Sequence, residues 1–189
     1  MFYDLIRNNR SYRRFYQQER INRETMTRLL DYARLSPSGA NRQAIKYYIS
    51  YEEDTNAKVF PALLWAAYLP DWNGPVDGER PAGYIVMVQE AEHKMVSGID
   101  HGIAAQSILL GATELGLGGC MFGNIRELEL RSALNIPDHH QILLAIAIGK
   151  PKETVVIDEI DPLGDIKYWR DSQQVHHVPK RKLKDIMMN

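Results

Sequence analysis

Three arginines and a serine stand close together near the N-terminus, in the stretch Arg10-Ser11-Tyr12-Arg13-Arg14-Phe15. A guanidinium can hold a phosphate through two parallel hydrogen bonds, and a serine hydroxyl adds a neutral donor. This spacing fits three kinds of structure: a solvated basic face at the end of a helix, a contact with nucleic acid, or a site for a phosphorylated small molecule. The stretch alone does not decide between them.

A loop of hydrogen-bonding groups is predicted further along, at Ser36-Pro37-Ser38-Gly39-Ala40-Asn41-Arg42-Gln43. It carries two hydroxyls, two side-chain amides and flexible backbone at Gly39, and such groups can bind a ligand without adding charge. The same composition is typical of an ordinary connection between a helix and a strand. Both interpretations stay open at this point.

An aromatic region surrounds the long loop from Pro70 to Pro81, which is rich in residues that break helices and strands. Trp65, Tyr68 and Trp72 flank or lie within it. Long ordered loops with aromatic side chains often serve as lids or pocket walls, so these three residues are candidates for a substrate pocket. The alternative is a partly packed surface loop.

The charge distribution argues against a protein built to cover nucleic acid. The net charge is −1 over 189 residues, a length that favours a single domain. Seven arginines lie within residues 1–28, nine acids lie within residues 50–100, and the end of the chain is basic again around Lys180 and Arg181. Two basic ends around an acidic body indicate one composite anion site, although a nucleic-acid-binding module remains a minor alternative.

The single cysteine, Cys120, excludes an intrachain disulfide and favours a reducing compartment. The first residues carry Asp4 early and lack a long apolar run, so we expect no signal peptide. The most apolar segment, Ile99 to Cys120, contains too many polar residues for a membrane span. These features predict a cytoplasmic protein.

Protein-borne catalytic groups are not evident in the sequence. The adjacent pairs His139-His140 and His176-His177 have poor spacing for a common metal ion, and we predict no metal site. No G-x-S-x-G elbow or phosphate-binding glycine loop is found, and Cys120 is interpreted as a small buried hydrophobe. A chain with anion-binding parts but no nucleophile or acid–base pair is typical of an enzyme whose cofactor supplies the chemistry.

The hydrophobic periodicity predicts alternating helices and strands that position these segments. The predicted helices are 2–9, a second helix that Asn22 caps and Pro37 stops, Glu52 to Tyr68, Ser97 to Leu117, Arg126 to Leu134 and a short one from Pro179 through Met188. The predicted strands are Lys46 to Tyr51, Tyr84 to Val88, Cys120 to Phe122 and Gln141 to Ile148.

The helix Ser97 to Leu117 is apolar on nearly all sides, so we expect it to be buried on all sides. In a chain of this size, that burial predicts packing across a subunit interface. After Pro151 no strong core helix is predicted, and the polar, aromatic tail is expected to lie on another surface.

Taken in order, these segments resemble the FMN-dependent nitroreductase family. Arg10-Ser11-x-Arg13-x-Phe15 resembles its N-terminal phosphate signature, and residues 36–43 resemble its second flavin loop. The stretch from Asp100-x-Gly102-x-Ala104-Ala105-Gln106 to Gly116-Leu117-Gly118-Gly119 resembles its long central helix and the turn that follows. Residues 145–151 resemble its last core strand, and Lys180-Arg181 its late basic pair.

The resemblance implies an α+β homodimer with a mixed, mostly antiparallel sheet flanked by helices and a long central helix at the dimer interface. It implies one domain over residues 1–189, with 152–189 a C-terminal extension on the partner subunit. It also implies tightly bound FMN, with NAD(P)H as electron donor. The implied cofactor-binding residues are Arg10, Ser11, Arg13, Pro37, Ser38, Gly39, Asn41, Gln43, Phe122, Gly123, Lys180 and Arg181.

The family's activity is ping-pong hydride transfer to nitroaromatic, quinone or similar electron-poor acceptors, with no catalytic side chain of its own. Two departures bear on this expectation: Asn9 precedes the signature where many members have arginine, and Gln43-Ala44-Ile45 replaces Gln-Pro-Trp. The second alters the predicted pocket wall, so the substrate range does not carry over. The alternative function is a flavin-binding carrier or sensor without broad reductase activity.

Overall fold

The computed structural model describes residues 1–90 and 98–188. Its α-helices are α1 (Phe2–Asn8), α2 (Arg23–Arg34), α3 (Glu53–Val59), α4 (Asp100–Glu114) and α5 (Glu127–Leu134). Its strands are β1 (Ile45–Ser50), β2 (Gly83–Glu90), β3 (Gly118–Phe122), β4 (His140–Gly149), β5 (Val155–Ile160), β6 (Trp169–Arg170) and β7 (His176–Arg181). Short 3₁₀ turns lie at Gly39–Asn41, Phe60–Ala62 and Leu183–Asp185.

The main sheet has four strands in the order β1-β2-β4-β3, and each neighbouring pair is antiparallel. Helices cover both of its faces, which confirms the predicted α+β class with an antiparallel sheet flanked by helices. A second, three-stranded sheet has the order β5-β7-β6, with β5 and β7 parallel.

The side chains of β2 point alternately into two separate hydrophobic cores. Ile85 and Met87 face one core with α2 and α4, whereas Val86 and Val88 face the other core with α3 and α5. All four side chains are fully buried. A strand covered on both faces becomes apolar at consecutive positions, and this is why the run could be recognised as a buried strand in the sequence.

Helix α2 forms as its sequence predicts. The Asn22 side chain accepts a hydrogen bond from the Thr25 N–H at 2.9 Å, which satisfies one free donor of the first turn. Met26, Leu29 and Ala33 are buried at 3–4 residue spacing. The helix ends at Arg34, three residues before Pro37.

Helix α4 is the longest helix of the described residues and confirms the predicted central helix. Its observed bounds are shorter than the predicted Ser97 to Leu117, and Ser97 lies outside the described residues. Gly116 follows with a φ of +69°, a conformation that ends helices readily when glycine supplies it. Within residues 1–90 and 98–188, no helix combines the length and the apolarity needed to span a bilayer.

The predicted helix from Glu52 to Tyr68 is wrong beyond Val59. Helix α3 stops there, Phe60–Ala62 forms a 3₁₀ turn, and Leu63 pairs with Ile125 as an isolated bridge. Pro61 explains the stop, since its ring lacks an N–H donor and would clash with the preceding helical turn. The aromatic residues that follow are therefore presented from an irregular segment.

The short helix predicted from Pro179 is also wrong at its beginning. Pro179 and the two residues after it belong to β7, which pairs in parallel with β5. Strand β6 pairs with β7 only at His176 and His177, so Pro179 needs no ladder partner on that side. Up to residue 188, a 3₁₀ turn at Leu183–Asp185 is the only helical element that follows.

The stretch from Arg10 to Phe15 runs along the end of the main sheet. Ser11 forms a parallel bridge with Gly119, and Phe15 forms an antiparallel bridge with Pro151. The Phe15 side chain is fully buried. A Cβ at Gly149 would lie 2.7 Å from the Phe15 ring, so glycine is required for this close approach.

An ion cluster holds the same stretch in place from the other side. Arg14 donates from Nε and from one terminal nitrogen to the two carboxylate oxygens of Glu79, at 2.5 Å and 2.7 Å. Lys152 reaches the same carboxylate at 2.9 Å. These two cations, Arg14 above all, lower the pKa of Glu79 to about 2.

We expect Glu79→Gln to lower the free energy of unfolding at pH 7 by on the order of 3 kcal/mol. The folded pKa of Glu79 lies below its ordinary value of 4.5, so its contribution is full above about pH 4.5 and is lost as the pH falls toward about 2. Chemical denaturation from pH 7 to pH 3 measures this. The wild-type and variant curves should converge on acidification.

Glu19→Gln provides the control, because Glu19 is exposed and forms no ion pair with the described residues. It should change the unfolding free energy little at any pH. A constant gap between wild type and Glu79→Gln down to pH 3 would show that the ion cluster does not carry the pH dependence.

Candidate functional site

A cleft of about 310 Å³ opens where the N-terminal stretch, α4, β3 and the second sheet meet. We call it the basic cleft. Its lining residues are Asn9, Arg10, Ser11, Arg13, Gln106, Leu109, Met121, Tyr168, His176, Val178 and Lys180. Four sequence-predicted site residues are therefore brought together here: Arg10, Ser11, Arg13 and Lys180.

Arg13 is the central cation of this cleft. Its side chain is held from two directions, since one terminal nitrogen donates to the Ser11 carbonyl at 3.2 Å and the guanidinium lies 4.5 Å from the centre of the Tyr168 ring. The residue is only 8% exposed, and no carboxylate among the described residues pairs with its side chain. A buried cation without a counter-ion is costly, so this arrangement favours an anionic ligand.

The guanidinium of Arg10, like that of Arg13, has only part of its hydrogen-bond donors satisfied. One terminal nitrogen donates to the Ile6 carbonyl at 2.9 Å, and burial lowers the pKa of its guanidinium. The Nε atoms of Arg10 and Arg13 are both buried without a hydrogen-bond partner in the part of the chain that the structure describes. Buried donors are normally satisfied, and a bound anion would satisfy these.

Strand alternation decides which residue of the late basic pair reaches the cleft. His176, Val178 and Lys180 share one face of β7 and line it. Arg181 lies on the opposite face, where it donates to the carbonyl of Pro162. The structure therefore brings Lys180 to the cleft and leaves Arg181 outside it.

The second predicted loop is not part of the basic cleft. Pro37, Ser38 and Gln43 line a separate pocket of about 180 Å³ with Asp100 and other residues.

The backbone of this loop is held in an unusual conformation. Gly39 donates its N–H to both carboxylate oxygens of Asp100 at 3.1 Å, which ties the loop to the beginning of α4. Ala40, Asn41 and Gln43 have φ values of +51°, +53° and +50°. Non-glycine residues with positive φ are uncommon and cluster at functional sites, so this conformation favours the ligand-binding interpretation over an ordinary connection.

The two pockets use nearly opposite faces of α4. Asp100 and Ala104 line the loop pocket, whereas Gln106 and Leu109 line the basic cleft. At about 100° per residue these pairs are separated by roughly half a turn of the helix. The loop at 36–43 of one chain therefore does not reach the basic cleft of the same chain.

Phe122 and Gly123 lie at the end of β3. Phe122 is buried, and its ring centre lies 4.6 Å from that of Trp65. Beyond its two chain neighbours, no described residue has an atom within 4 Å of the position that a Cβ on Gly123 would take. The backbone at Gly123 is therefore open to close approach by a ligand.

The three predicted pocket aromatics lie next to this strand end. Trp65 contacts Trp72 edge-on at 6.1 Å, and both line a cavity of about 430 Å³. The Arg170 guanidinium lies 4.2 Å from the centre of the Trp72 ring. Tyr68 packs 5.0 Å from Tyr168, which links this aromatic segment to the wall of the basic cleft.

Seven lining residues of the cleft were not among the predicted site residues, and four of these are Gln106, Met121, Tyr168 and His176. Gln106 had a signal, because it ends the motif that resembles the family's central helix. The others had none, since an aromatic residue or a histidine in a polar tail acquires a role only through its neighbours in space. Among the described residues, no group of three His, Cys, Asp or Glu side chains could hold a metal ion.

Comparisons with known proteins identify the family of this chain. A family model described as the nitroreductase family matches residues 6–150, more than half of the chain. A protein of Archaeoglobus fulgidus, provisionally named NADH dehydrogenase/NAD(P)H nitroreductase, is 26% identical over 155 residues, which cover 78% of this chain and 84% of that protein. An FMN reductase (NADPH) of Bacillus subtilis is 40% identical over 67 residues, 34% of this chain and 27% of that protein.

The chain thus matches about a quarter of the length of the Bacillus subtilis relative but most of the length of the archaeal one. The crystal structure of a nitroreductase family protein from Clostridium novyi NT superposes with a TM-score of 0.66 and 27% identity, covering 80% of this chain and 86% of that chain. The resemblance seen in the motifs is confirmed: this chain belongs to the nitroreductase family.

Proposed function

We propose that this oxidoreductase of the nitroreductase family binds FMN in the basic cleft and uses NAD(P)H to reduce electron-poor acceptors. The observation that carries the proposal is the pair Arg10 and Arg13 in the basic cleft. Their Nε donors are buried without a hydrogen-bond partner, and neither guanidinium forms an ion pair with a carboxylate of the described residues. A ligand that ends in a phosphate satisfies both the charge and the donors.

The residues of the cleft fit FMN. Arg10, Ser11, Arg13 and Lys180 would hold the phosphate, with Lys180 taking the place that the sequence also offered to Arg181. Gly123, next to Phe122 at the end of β3, would present open backbone to the isoalloxazine ring. The chemistry that FMN supplies is two-electron transfer between NAD(P)H and an acceptor such as a quinone or a nitroaromatic compound.

The protein's own part is to bind and orient the cofactor and to shape the acceptor pocket. Arg13 is pre-oriented by Ser11 and Tyr168, so little side-chain entropy is lost when an anion binds. Trp65 and Trp72 would form the apolar wall against which a flat acceptor packs. We assign no proton transfer or nucleophilic step to a side chain.

We further propose that the functional unit is a homodimer. The loop at 36–43 and the basic cleft lie on nearly opposite faces of α4, so a second copy could supply Pro37, Ser38, Gly39, Asn41 and Gln43 to the cleft of the first. The exposed apolar residue Ile99, 66% exposed just before α4, supports an interface there.

The extension of residues 152–189 is proposed to enlarge this interface. Within one chain it packs on the N-terminal stretch, yet it exposes several large apolar side chains. These are Leu163, Ile166, Leu183, Ile186 and Met188. Contact with a partner subunit would cover such side chains.

The first test is the visible spectrum of the purified protein, followed by anaerobic titration with NADH or NADPH. We expect the absorbance of bound FMN and its bleaching by the nucleotide, with colour returning when a quinone is added. A protein that gains no flavin absorbance on reconstitution contradicts the proposal. Bound flavin that neither nucleotide reduces would instead support a carrier or sensor.

Arg13→Ala should weaken FMN binding about 10- to 150-fold, because a hydrogen bond to a charged group contributes roughly 1.5–3 kcal/mol. Fluorescence titration with FMN and with riboflavin measures it. Riboflavin lacks the phosphate, so its affinity should change much less.

Arg7→Ala is the matched control, since Arg7 is an exposed cation in the last turn of α1 and does not line the cleft. It removes the same charge from the same segment and should leave the preference for FMN over riboflavin intact. Equal losses for the two flavins in Arg13→Ala would remove Arg13 from the phosphate site.

Mixing two defective variants tests the shared site. If each site takes groups from both chains, Arg13→Ala and Gln43→Ala should complement each other when co-refolded in equal amounts. In mixed dimers one site carries both defects and the other carries none, so about a quarter of all sites should regain FMN at a concentration that leaves each variant empty. Recovery of no sites, although both variants dimerise, would show that each site belongs to one chain.

Trp72→Ala should change the acceptor kinetics several-fold without changing FMN affinity, because the ring lines the cavity beside Trp65 and not the basic cleft. Steady-state kinetics with several quinones and nitroaromatics measure kcat/KM. Trp169→Ala is the control, since that ring stacks on His177 at 4.1 Å. Unchanged kinetics with every acceptor would exclude Trp72 from the pocket wall.

A further inference from the structure

His176 is a fully buried histidine in the wall of the basic cleft. It belongs to β7, the middle strand of the second sheet, and its backbone N–H donates to the Thr154 carbonyl at 2.9 Å. Its ring lies 5.2 Å from that of Tyr168. The sheet therefore fixes the backbone on one side and the aromatic ring limits the side chain on the other.

The contact between His176 and Arg13 determines where the imidazole carries its proton. His176 Nε2 lies 3.1 Å from a terminal nitrogen of Arg13. A guanidinium only donates hydrogen bonds, so Nε2 must accept and the ring proton must stay on Nδ1. Burial, together with the charges of Arg13, Arg170 and His177, lowers the pKa of His176 to about 4 and keeps the ring neutral.

A buried histidine in these surroundings is unfavourable for the stability of the fold. Nδ1 is buried and has no hydrogen-bond partner among the described residues. The Arg13 guanidinium contacts the ring, and Arg170 is the cross-strand neighbour of His176. An apolar side chain of similar size would avoid both the unpaired donor and the desolvation of the ring. What the histidine provides that such a side chain cannot is an acceptor for Arg13.

We propose that His176 is a positioning residue for the phosphate end of the cofactor. By accepting a hydrogen bond from one terminal nitrogen of Arg13, it fixes the orientation of the guanidinium, with the Tyr168 ring against its face. Nε and the other terminal nitrogen of Arg13 are then left to grip the anion. This inference rests on the proposed binding of FMN, and it assigns the C-terminal sheet a direct part in phosphate selectivity.

The binding test compares two variants of His176. His176→Phe keeps the size and the contact with Tyr168 but removes the acceptor, and we expect the preference for FMN over riboflavin to fall about three- to tenfold. His176→Gln places an amide oxygen near the position of Nε2 and should restore most of that preference. His177→Phe is the control, because His177 lies on the opposite face of β7 and pairs with Asp158.

A second measurement reads the tautomer in the wild-type protein itself. Nitrogen-15 NMR of the histidine rings in the wild-type protein reports the tautomer of His176, with His176→Gln used to assign the signal. A neutral ring protonated at Nδ1 at pH 7 supports the proposal. A proton on Nε2, or on both nitrogens, overturns it.

The measurements distinguish a failure of the proposed FMN binding from a failure of the proposed role of His176. A wild type that binds no FMN overturns the proposed function. A wild type that binds FMN, together with an unchanged preference in His176→Phe or equal losses for FMN and riboflavin, overturns only the role of His176. Lack of recovery in a folded His176→Gln also counts against it.

Discussion

The site depends on the hydrogen bonds and the ion pair that the buried carboxylate of Glu153 forms. One oxygen accepts the backbone N–H groups of Arg13 and Arg14, and the other pairs with Arg170 at 3.0 Å. Its side chain is fully buried, so the desolvation cost is offset only while all of these donors stay in place. A single carboxylate thereby joins the N-terminal stretch to the C-terminal sheet and closes the basic cleft between them.

Arg13 and Arg14 are neighbours in the sequence, but their side chains have different roles. The Arg14 side chain points to Glu79 and forms a neutralised, structural ion pair. The Arg13 side chain points to the cleft, where its neighbours are a serine carbonyl, a tyrosine ring and a neutral histidine. Affinity for an anion comes from Arg13, which has no carboxylate paired with its side chain. The charge of the Arg14 guanidinium is already neutralised by its carboxylate partner.

Helix α4 lies between the two pockets and fixes their relative positions. It packs against α2 beneath the main sheet, and it separates the basic cleft from the loop that begins at Ser36. The strained backbone at Ala40, Asn41 and Gln43 is tied to Asp100 at the start of the same helix. One rigid element therefore sets the positions of both proposed half-sites, and a twofold copy would bring complementary halves together.

The sequence by itself determined the family, the α+β class and most elements, because the capping of α2 by Asn22 and the apolar run of β2 are local signals. It also identified Arg10, Ser11 and Arg13, whose types and spacing carry chemistry. Pro61 is a local stop signal, and the predicted helix from Glu52 to Tyr68 did not take it into account. Only the tertiary structure decided that Lys180 and not Arg181 faces the cleft, and that Tyr168 and His176 complete it. Those choices depend on pairing between β5 and β7, which are joined by non-local contacts that no local pattern encodes.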